Sequence, residues 1–455
     1  MTAIRCFARL IADPARDYPQ LARDRSRAAL ADTVGCMFAG ARRPVAVKAL
    51  SAFRDSAPGD CVVVGHQARL HAPFAALVNG SSAHALDYDD YDAPANSHPS
   101  AVIFPALLAM ANGQAKSGAD LLDAHIVGVE IIQRLGEAMN MAHYYAGWHT
   151  TMTLGTVGAS AACARLFGFD EHLCAHALSI AASMASGLTN QGGFDTKPLH
   201  AGLTAQNAVL ATTLAASGVT ASDEVIDGRI SLAKAMGEYQ PDKFDAALAK
   251  LARPWSIVEH GLIAKAYPSC GYTHRLIDAA LKIYTEHRPE PGRINGIRAS
   301  VPLAYLDLLT YTDPRTTAEA MFSAEYNIAA VLVQGRFNLA SVDETSLADA
   351  DIRRLCAVTR IEPREPRDAQ IPYDPCDPDW VEVTLDDGQI LTASVEIALG
   401  DPANPMNNEQ LRAKFDNCTQ DLLPDSRRAE LWSLLSGIEQ LSDIAELYTL
   451  LTSKE

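Results

Sequence analysis

Apolar residues recur at helical spacing along most of the first 251 residues. Seven alanine-rich segments repeat apolar side chains every three or four positions, and each stops at Gly, Pro or polar residues, as helix ends require. They cover residues 25–40, 71–86, 101–113, 120–138, 153–167, 171–187 and 201–217. Small residues around Gly155 and Gly158 indicate helices that pack unusually closely. The first part of the chain is therefore predicted to be all-helical.

The pattern changes after Pro268, where strand-like alternation appears over residues 293–301, 356–362, 380–385 and 389–395. An Asp-Gly pair separates the last two segments, which is typical of a β-hairpin turn. Helices are predicted over 274–286 and 317–334, and a helical tail over 408–451. The predicted fold is mainly α, with a large all-helical domain at residues 1–265, completed by 401–455, and a smaller α+β lid domain at 266–400.

Length, composition and charge narrow the class of protein. A chain of 455 residues is too long for one compact core, and 48% hydrophobic with 20% charged residues is typical of a globular enzyme. The net charge of −17 disfavours nucleic acid or an anionic membrane as a partner. No apolar run is long enough to span a bilayer, and no secretory signal is recognisable, so a cytoplasmic location is expected. The nine cysteines form no C-x-x-C pair, so neither a zinc site nor a disulfide framework is predicted.

Three predicted helix starts carry a basic side chain: His98, His149 and Lys197. A helix N-terminus has partial positive charge, so a basic residue there is unfavourable for stability. Free backbone N–H groups and a nearby cation can, however, bind an anion together. Each of these residues taken alone is as well explained by an ordinary core or surface position. Their shared placement favours an active site for a carboxylate substrate.

An acidic run at residues 84–92 precedes the first of these starts. On a helix, His84, Asp87 and Asp90 would share one face. Three interpretations stay open: a solvated helix end, a metal site, and a carboxylate that orients or deprotonates a catalytic partner, for which Asp87 is the best candidate. A magnesium site is disfavoured because Ala93 stands where such a motif needs a further acid, and no second acidic motif faces the run. No metal site is predicted.

The segment 265–274 lies at the predicted domain junction, where ligand clefts are frequent. It contains Lys265, Cys270, Tyr272 and His274. Cys270 would act as a nucleophile only with a base beside it. Since the sequence also lacks a phosphate-binding glycine loop and a G-x-S-x-G elbow, the predicted chemistry needs neither a bound nucleotide nor a metal.

Six motifs follow one another in a recognisable order. They are His84-Ala-Leu-Asp87, His98-Pro-Ser, Gly147-Trp-His149, Lys197-Pro-Leu-His200, Lys265-Ala-Tyr-Pro-Ser-Cys270 and Phe322-Ser-Ala-Glu-Tyr326. Together they resemble the MmgE/PrpD family, which includes 2-methylcitrate dehydratase, cis-aconitate decarboxylase and iminodisuccinate epimerase. The resemblance implies a helical domain with an α/β lid, a homodimer, and catalysis without a metal or an organic cofactor.

The resemblance also assigns residues, and two departures bear on the activity. It matches Asp87, His98, His149, Lys197 and Lys265 to pocket residues of the decarboxylase branch, and Tyr91 to a place often held by threonine. Cys270 stands where that branch has a catalytic histidine. Ala101 replaces the aspartate of the Gly-His-Pro-Ser-Asp signature of the dehydratase branch. Both departures favour epimerisation.

The three activities share one physical problem, the negative charge that develops when a proton leaves the carbon next to a carboxylate. Lys197 and Lys265 are predicted to stabilise that charge, His149 or Lys197 to be the base, and Asp87 to orient a histidine. The leading hypothesis is an epimerase of a succinate-like acid; the alternatives are a dehydratase of a citrate-like acid, a cis-aconitate decarboxylase and a non-catalytic carboxylate binder. The predicted catalytic residues are Asp87, His98, His149, Lys197, Lys265 and Cys270, and the predicted residues that bind the small polycarboxylate are His84, Tyr91, Tyr272 and His274.

Overall fold

A computed structural model describes residues 1–365 and 377–452 of the chain. Helices dominate it, so the mainly α prediction is confirmed. The helical body contains α1 (Ala3–Ala12), α2 (Gln20–Gly40), α3 (Pro44–Phe53), α4 (Ala72–His84), α5 (Pro99–Ala111), α6 (Gly118–Met139), α7 (Ala142–Tyr145), α8 (Thr150–Leu166), α9 (Glu171–Ser183), α10 (Thr196–Ala216), α11 (Leu232–Ala235), α12 (Pro241–Ala249) and α13 (Ser256–Glu259). The seven helical segments predicted from the sequence correspond to α2, α4, α5, α6, α8, α9 and α10. Two short antiparallel strands, β1 (Pro58–Val62) and β2 (Arg69–Leu70), lie between α3 and α4 along the chain.

Two glycines allow helices α4 and α10 to cross almost in backbone contact. A Cβ atom on Gly202 would lie 2.2 Å from the carbonyl oxygen of Leu77, and one on Gly80 would meet the α10 backbone at 2.9 Å. Because a side chain at either position would push the helices apart, the crossing fixes the end of α4 beside the start of α10. It thereby brings His84, the last residue of α4, into contact with Lys197 in the first turn of α10.

The lid combines helices with a four-stranded sheet. Its helices are α14 (His274–His287), α15 (Thr317–Ala320), α16 (Ala324–Gln334), α17 (Glu344–Ala348) and α18 (Ala350–Val358), and its strands are β3 (Ile294–Pro302), β4 (Thr359–Arg364), β5 (Asp379–Leu385) and β6 (Ile390–Val395). The strand order is β4-β3-β5-β6, with β3 parallel to β4 and antiparallel to β5. The predicted hairpin of β5 and β6 is confirmed, and Gly388 in its turn has a φ of +83°.

Two predicted lid elements differ from the structure. Helix α18 continues through Val358 because Ile352 and Cys356 are buried on one of its faces, so the strand predicted over 356–362 begins only at Thr359. The helix predicted over 317–334 is divided into α15 and α16. The second helix has its own N-cap, since the Ser323 hydroxyl accepts a hydrogen bond from a backbone N–H in the first turn of α16.

The tail forms α19 (Asn408–Thr419), α20 (Asp425–Ser436) and α21 (Ala445–Leu450). Its buried apolar side chains, from Phe415 to Leu451, belong to the same core as the helical body, except Cys418, which belongs to the second core. A second core lies within the lid and includes Leu86 and Tyr88 of the body, so the body and the lid are packed together at the acidic run. The predicted domain boundaries at residues 265 and 401 stay a prediction.

Two further sequence features are visible in the structure. Within the described residues, no helix combines the length and the apolar character that a membrane span needs. The cysteines of the described part are free thiols, most of them buried. Cys376 lies outside the described residues.

Candidate active site

A cleft of about 630 Å³ opens where the helical body meets the lid. Its lining residues are Asp87, Tyr91, Asn96, His98, Tyr144, His149, Leu188, Thr189, Gly192, Lys197, Lys265, Cys270, Gly271, Tyr272, Leu308 and Phe322. The six residues predicted as catalytic all line this cleft, and so do Tyr91 and Tyr272 of the predicted binding residues. Asn96 and Tyr144 also line it, although nothing in their sequence context singled them out.

Three helices of the body begin at the cleft. His98 is the N-cap of α5, His149 is the N-cap of α8, and Lys197 is the second residue of α10. These are the three basic helix starts expected from the sequence. Their partial positive charges and unsatisfied N–H groups favour an anion at the cleft.

Asp87 owes its position to a turn in the backbone. Helix α4 ends at His84, and Asp87 has a φ of +48°, a left-handed conformation that Asp adopts more readily than most residues. The prediction that His84, Asp87 and Asp90 share a helix face is therefore wrong, because the acidic run is not helical. The turn directs the Asp87 carboxylate toward two lysines instead.

Two ammonium groups converge on one oxygen of Asp87. Lys197 Nζ lies 2.8 Å and Lys265 Nζ 3.0 Å from Asp87 Oδ1, and Lys265 also donates to the Asp87 carbonyl oxygen at 2.8 Å. Burial alone would raise the pKa of Asp87, but the two lysines outweigh it and hold the pKa well below its usual range. Asp87 is therefore ionised and anchors both lysines in the cleft.

Asp89 orients two imidazole rings. His84 donates from Nδ1 to its carboxylate at 2.9 Å, and His98 Nδ1 lies 3.1 Å from Asp89 Oδ2. His98 Nδ1 also lies 2.9 Å from the Asp90 carbonyl oxygen, so both contacts place the proton on Nδ1 and leave Nε2 as the acceptor. Asp87 lies farther away, 3.7 Å from His98 Nε2. The orienting role predicted for Asp87 thus falls mainly to Asp89, which the sequence analysis did not single out.

The imidazoles at the site are held in their neutral form. Burial lowers the pKa of His98, and burial together with Lys197 lowers that of His149 well below its usual range. Burial likewise lowers the pKa values of His84 and His200 to about 4. His149 Nδ1 lies 2.9 Å from His200 Nδ1, which fixes the orientation of the His149 ring. A neutral imidazole is able to accept a proton at neutral pH.

Aromatic rings form the remaining walls. The Tyr91 ring centre lies 5.6 Å from Lys265 Nζ, and the Phe322 ring centre lies 5.4 Å from Lys197 Nζ. Tyr272 is stacked on Tyr305, with ring centres 4.0 Å apart. These rings surround the two ammonium groups with low-dielectric material, which strengthens their interaction with an anion.

The other predicted site residues have different surroundings. His84 lies behind the cleft and accepts from Lys197 Nζ at 2.9 Å through Nε2. His274 does not line the cleft; it is buried, with Nε2 3.4 Å from the Ser269 carbonyl oxygen. Cys270 does line the cleft, but burial, aided by Asp87, raises the pKa of its thiol to about 11. At neutral pH the thiol is therefore protonated and is not poised as a nucleophile.

The donor atoms of His84, Asp87, Asp89 and His98 lie within 4.8 Å of one another, a set that by residue type alone would suit a metal ion. Asp87 already accepts from two ammonium groups, however. A divalent cation at this point would lie beside both positive charges, and that repulsion disfavours it. The arrangement fits an anion better than a cation.

Comparison with known sequences agrees with this arrangement. The family model described as MmgE/PrpD N-terminal domain matches residues 7–245, and the one described as MmgE/PrpD C-terminal domain matches residues 267–438. The chain belongs to the MmgE/PrpD family. The two matches include every residue that lines the cleft except Lys265, which lies between them.

Curated members of the MmgE/PrpD family match nearly the whole chain. The cis-aconitate decarboxylase of Homo sapiens is 28% identical over 449 residues, which span 94% of this chain and 89% of that protein. The protein of the same name from Mus musculus is 28% identical over 442 residues, 93% of this chain and 87% of that protein. The one from Aspergillus terreus (strain NIH 2624 / FGSC A1156) is 26% identical over 460 residues, 96% of this chain and 92% of that protein.

Proposed function

We propose that this protein is a lyase that decarboxylates a small unsaturated tricarboxylate of the cis-aconitate type, using its own side chains. The observation that carries the proposal is the convergence of Lys197, Lys265 and two neutral imidazoles in one cleft. The names of the similar proteins support decarboxylation, an alternative in the sequence analysis, better than the leading hypothesis of epimerisation.

The cleft supplies the binding energy that a polycarboxylate needs. The net charge of −17 repels an anion at long range, so attraction must come from local groups. Lys197 and Lys265 lie on one side, and the starts of α5, α8 and α10 add partial positive charge. Asp87 compensates the lysines while the cleft is empty and keeps them in place for the substrate carboxylates.

The chemistry of such a substrate needs charge stabilisation and one proton. When the allylic carboxylate leaves as CO₂, the C–C bond breaks and its electron pair spreads through the adjacent double bond toward a second carboxylate. Lys197 and Lys265 are placed to stabilise that developing charge. One proton then adds to the far allylic carbon, which gives a dicarboxylate with a terminal methylene group. That step needs a proton donor within reach of the far allylic carbon.

His98 and His149 suit the role of that donor. In the empty cleft burial lowers both pKa values, so both rings are neutral. The carboxylates of a bound substrate would favour the imidazolium form and raise these pKa values again. One ring would then take up a proton from solvent and deliver it to the allylic carbon.

Binding of one tricarboxylate is accordingly expected to be accompanied by the uptake of at most about one proton. The affinity of the protein for the tricarboxylate is therefore expected to rise as the pH falls from 8 to 6. Isothermal titration of propane-1,2,3-tricarboxylate, a saturated analogue, in buffers of different ionisation enthalpy measures this uptake. The slope of the observed enthalpy against buffer enthalpy gives the number of protons. A slope of zero would show that the imidazoles do not respond to the bound anion.

One observation favours a second candidate, the epimerase. Cys270 lines the cleft at the place where the family resemblance puts a catalytic histidine of the decarboxylase branch. An epimerase needs two groups that exchange a proton with one carbon from opposite faces, and it needs no leaving group. A neutral imidazole is able to accept the proton and a protonated thiol is able to donate one, so the cleft contains both types of group.

Incubation in D₂O separates these activities. With cis-aconitate, we expect CO₂ release and one deuterium in the saturated CH₂ group of the dicarboxylate, formed at the far allylic carbon; NMR follows both. Loss of optical activity with deuterium at the α-carbon of an enantiopure substituted succinate would indicate the epimerase, and an alkene formed from 2-methylcitrate would indicate a dehydratase. A preparation of the Lys197→Ala variant is the control for contaminating activity. Absence of turnover and of exchange with all three acids would leave a carboxylate binder and overturn the proposal.

A further inference from the structure

A second cavity lies behind the ion pair of Asp87 and Lys197. It has about 600 Å³ of space between protein atoms, part of it open to solvent, and shares only Asp87, Lys197 and Phe322 with the lining of the cleft. His84 belongs to this second cavity and not to the cleft. The Asp87–Lys197 pair is therefore a partition with the proposed catalytic cleft on one side and this cavity on the other.

One guanidinium group in this cavity is uncompensated. Arg43, the residue before α3, is half-buried and lines the cavity. In the part of the chain that the structure describes, its side chain makes no hydrogen bond or ion pair, and Asp343 and Asp421 act on it only through space. Burial lowers the pKa of Arg43. A half-buried charge without a partner is less well solvated than an exposed one, so the position favours a bound anion.

The other charged groups of the cavity wall are already paired. Asp87 is held by two lysines, and Asp195 forms an ion pair with the exposed Lys48, with 2.5 Å between Nζ and Oδ2. The two carboxylates disfavour a ligand with several negative charges. The guanidinium group of Arg43 therefore matches a ligand with a single negative charge.

The rest of the wall is mainly apolar. Leu86, Met321, Val342 and Phe322 contribute to it, and all four are buried. Such a wall gains free energy when it covers an alkyl chain. A guanidinium group in turn binds a carboxylate through two parallel hydrogen bonds.

We propose that this second cavity binds a small monocarboxylate with a short apolar chain, the carboxylate on Arg43 and the chain against Leu86 and Met321. The site is separate from the cleft in which the tricarboxylate reacts. A ligand there touches Lys197 and His84 from behind, and therefore changes the electrostatic surroundings of the catalytic lysine. The site is thus placed to modulate turnover by a small fatty acid or an acid of similar size.

Butyrate is a suitable probe, because it has one carboxylate and a three-carbon chain. The cleft is first saturated with propane-1,2,3-tricarboxylate, and butyrate is then titrated while its NMR saturation-transfer signal is recorded. Wild type and Arg42→Gln are expected to bind butyrate equally, since Arg42 is the exposed neighbour of Arg43. Arg43→Gln is expected to bind about tenfold or more weakly.

Equal binding by Arg43→Gln and wild type, or no binding to wild type at a butyrate concentration of about 50 mM, would overturn the proposal. If Arg43→Gln fails to fold, wild-type crystals soaked with 4-bromobutyrate decide the question by anomalous scattering: bromine in the second cavity supports the site, and bromine only in the cleft overturns it. Failure of the tricarboxylate to bind would instead count against the proposed function, and the butyrate titration of the free protein would still report on Arg43.

Discussion

Replacement of Lys197 by alanine is expected to lower kcat/KM for a cis-aconitate-type substrate by about 10²–10³-fold. The lysine contacts Asp87 and His84 and lines the cleft, with its side chain only 16% exposed. The variant loses one of the two positive charges that are proposed to stabilise the developing carbanion. The effect is expected mainly on kcat, because Lys265 and the helix starts still attract the substrate.

The stability of the same variant distinguishes a catalytic role of Lys197 from a structural role. Asp87 keeps Lys265 as a partner, so we expect thermal unfolding to shift by only a few degrees. Lys48→Ala is the matched control, since Lys48 is 71% exposed, pairs with Asp195 beside the start of α10 and does not line the cleft. Its kcat/KM is expected to stay within about twofold of wild type. Near-normal turnover by Lys197→Ala would remove this lysine from the mechanism.

The amphipathic pattern was sufficient to predict the body of the fold and the three basic helix starts. Helix ends leave local signals, and His98, His149 and Lys197 lie next to such signals. The same pattern failed at residues 84–92, because an apparent i, i+3 spacing does not show that a helix has ended. Because Asp87 has a left-handed φ, its carboxylate faces the lysines, and Asp89 orients the imidazoles instead. Sequence composition does not predict that backbone angle.

Residue spacing could not predict which residues that are distant in the sequence come together in the fold. Lys265 is 178 residues from Asp87, yet its ammonium group contacts both the carboxylate and the backbone carbonyl oxygen of Asp87. The family resemblance, and not periodicity, placed these two residues in one pocket. Arg43 has no sequence signal at all, because its importance depends on a cavity formed by α3, α10 and the lid.

Replacement of Asp87 by asparagine is expected to cost more stability than any other single change considered for the cleft. Asparagine keeps the shape but removes the charge that separates Lys197 from Lys265, whose side chain is only 2% exposed. Two ammonium groups would then face each other across a neutral amide in a buried place. Breaking a buried ion pair in this way typically costs about 3–5 kcal/mol in the free energy of unfolding. Activity is expected to be lost as well, because repulsion would move both lysines.

Urea unfolding of four proteins tests this explanation. Asp195→Asn removes an exposed carboxylate and is expected to cost less than about 1 kcal/mol. Adding Lys265→Met to Asp87→Asn is expected to restore about 1–3 kcal/mol, because the second change removes the repulsion that the first one creates. A double variant that is no more stable than Asp87→Asn would contradict the electrostatic explanation.

The pH dependence of wild type provides an independent measure of the same interaction. Since the folded pKa of Asp87 is held far below its unfolded value of about 4, the stabilisation is complete above about pH 4. It is lost as the pH falls toward the folded pKa, when protonation of the unfolded chain begins to compete. Asp87→Asn lacks this group, so its stability is expected to fall less steeply below about pH 4 than that of wild type. Parallel curves for the two proteins would show that the Asp87 carboxylate does not stabilise the fold through its charge.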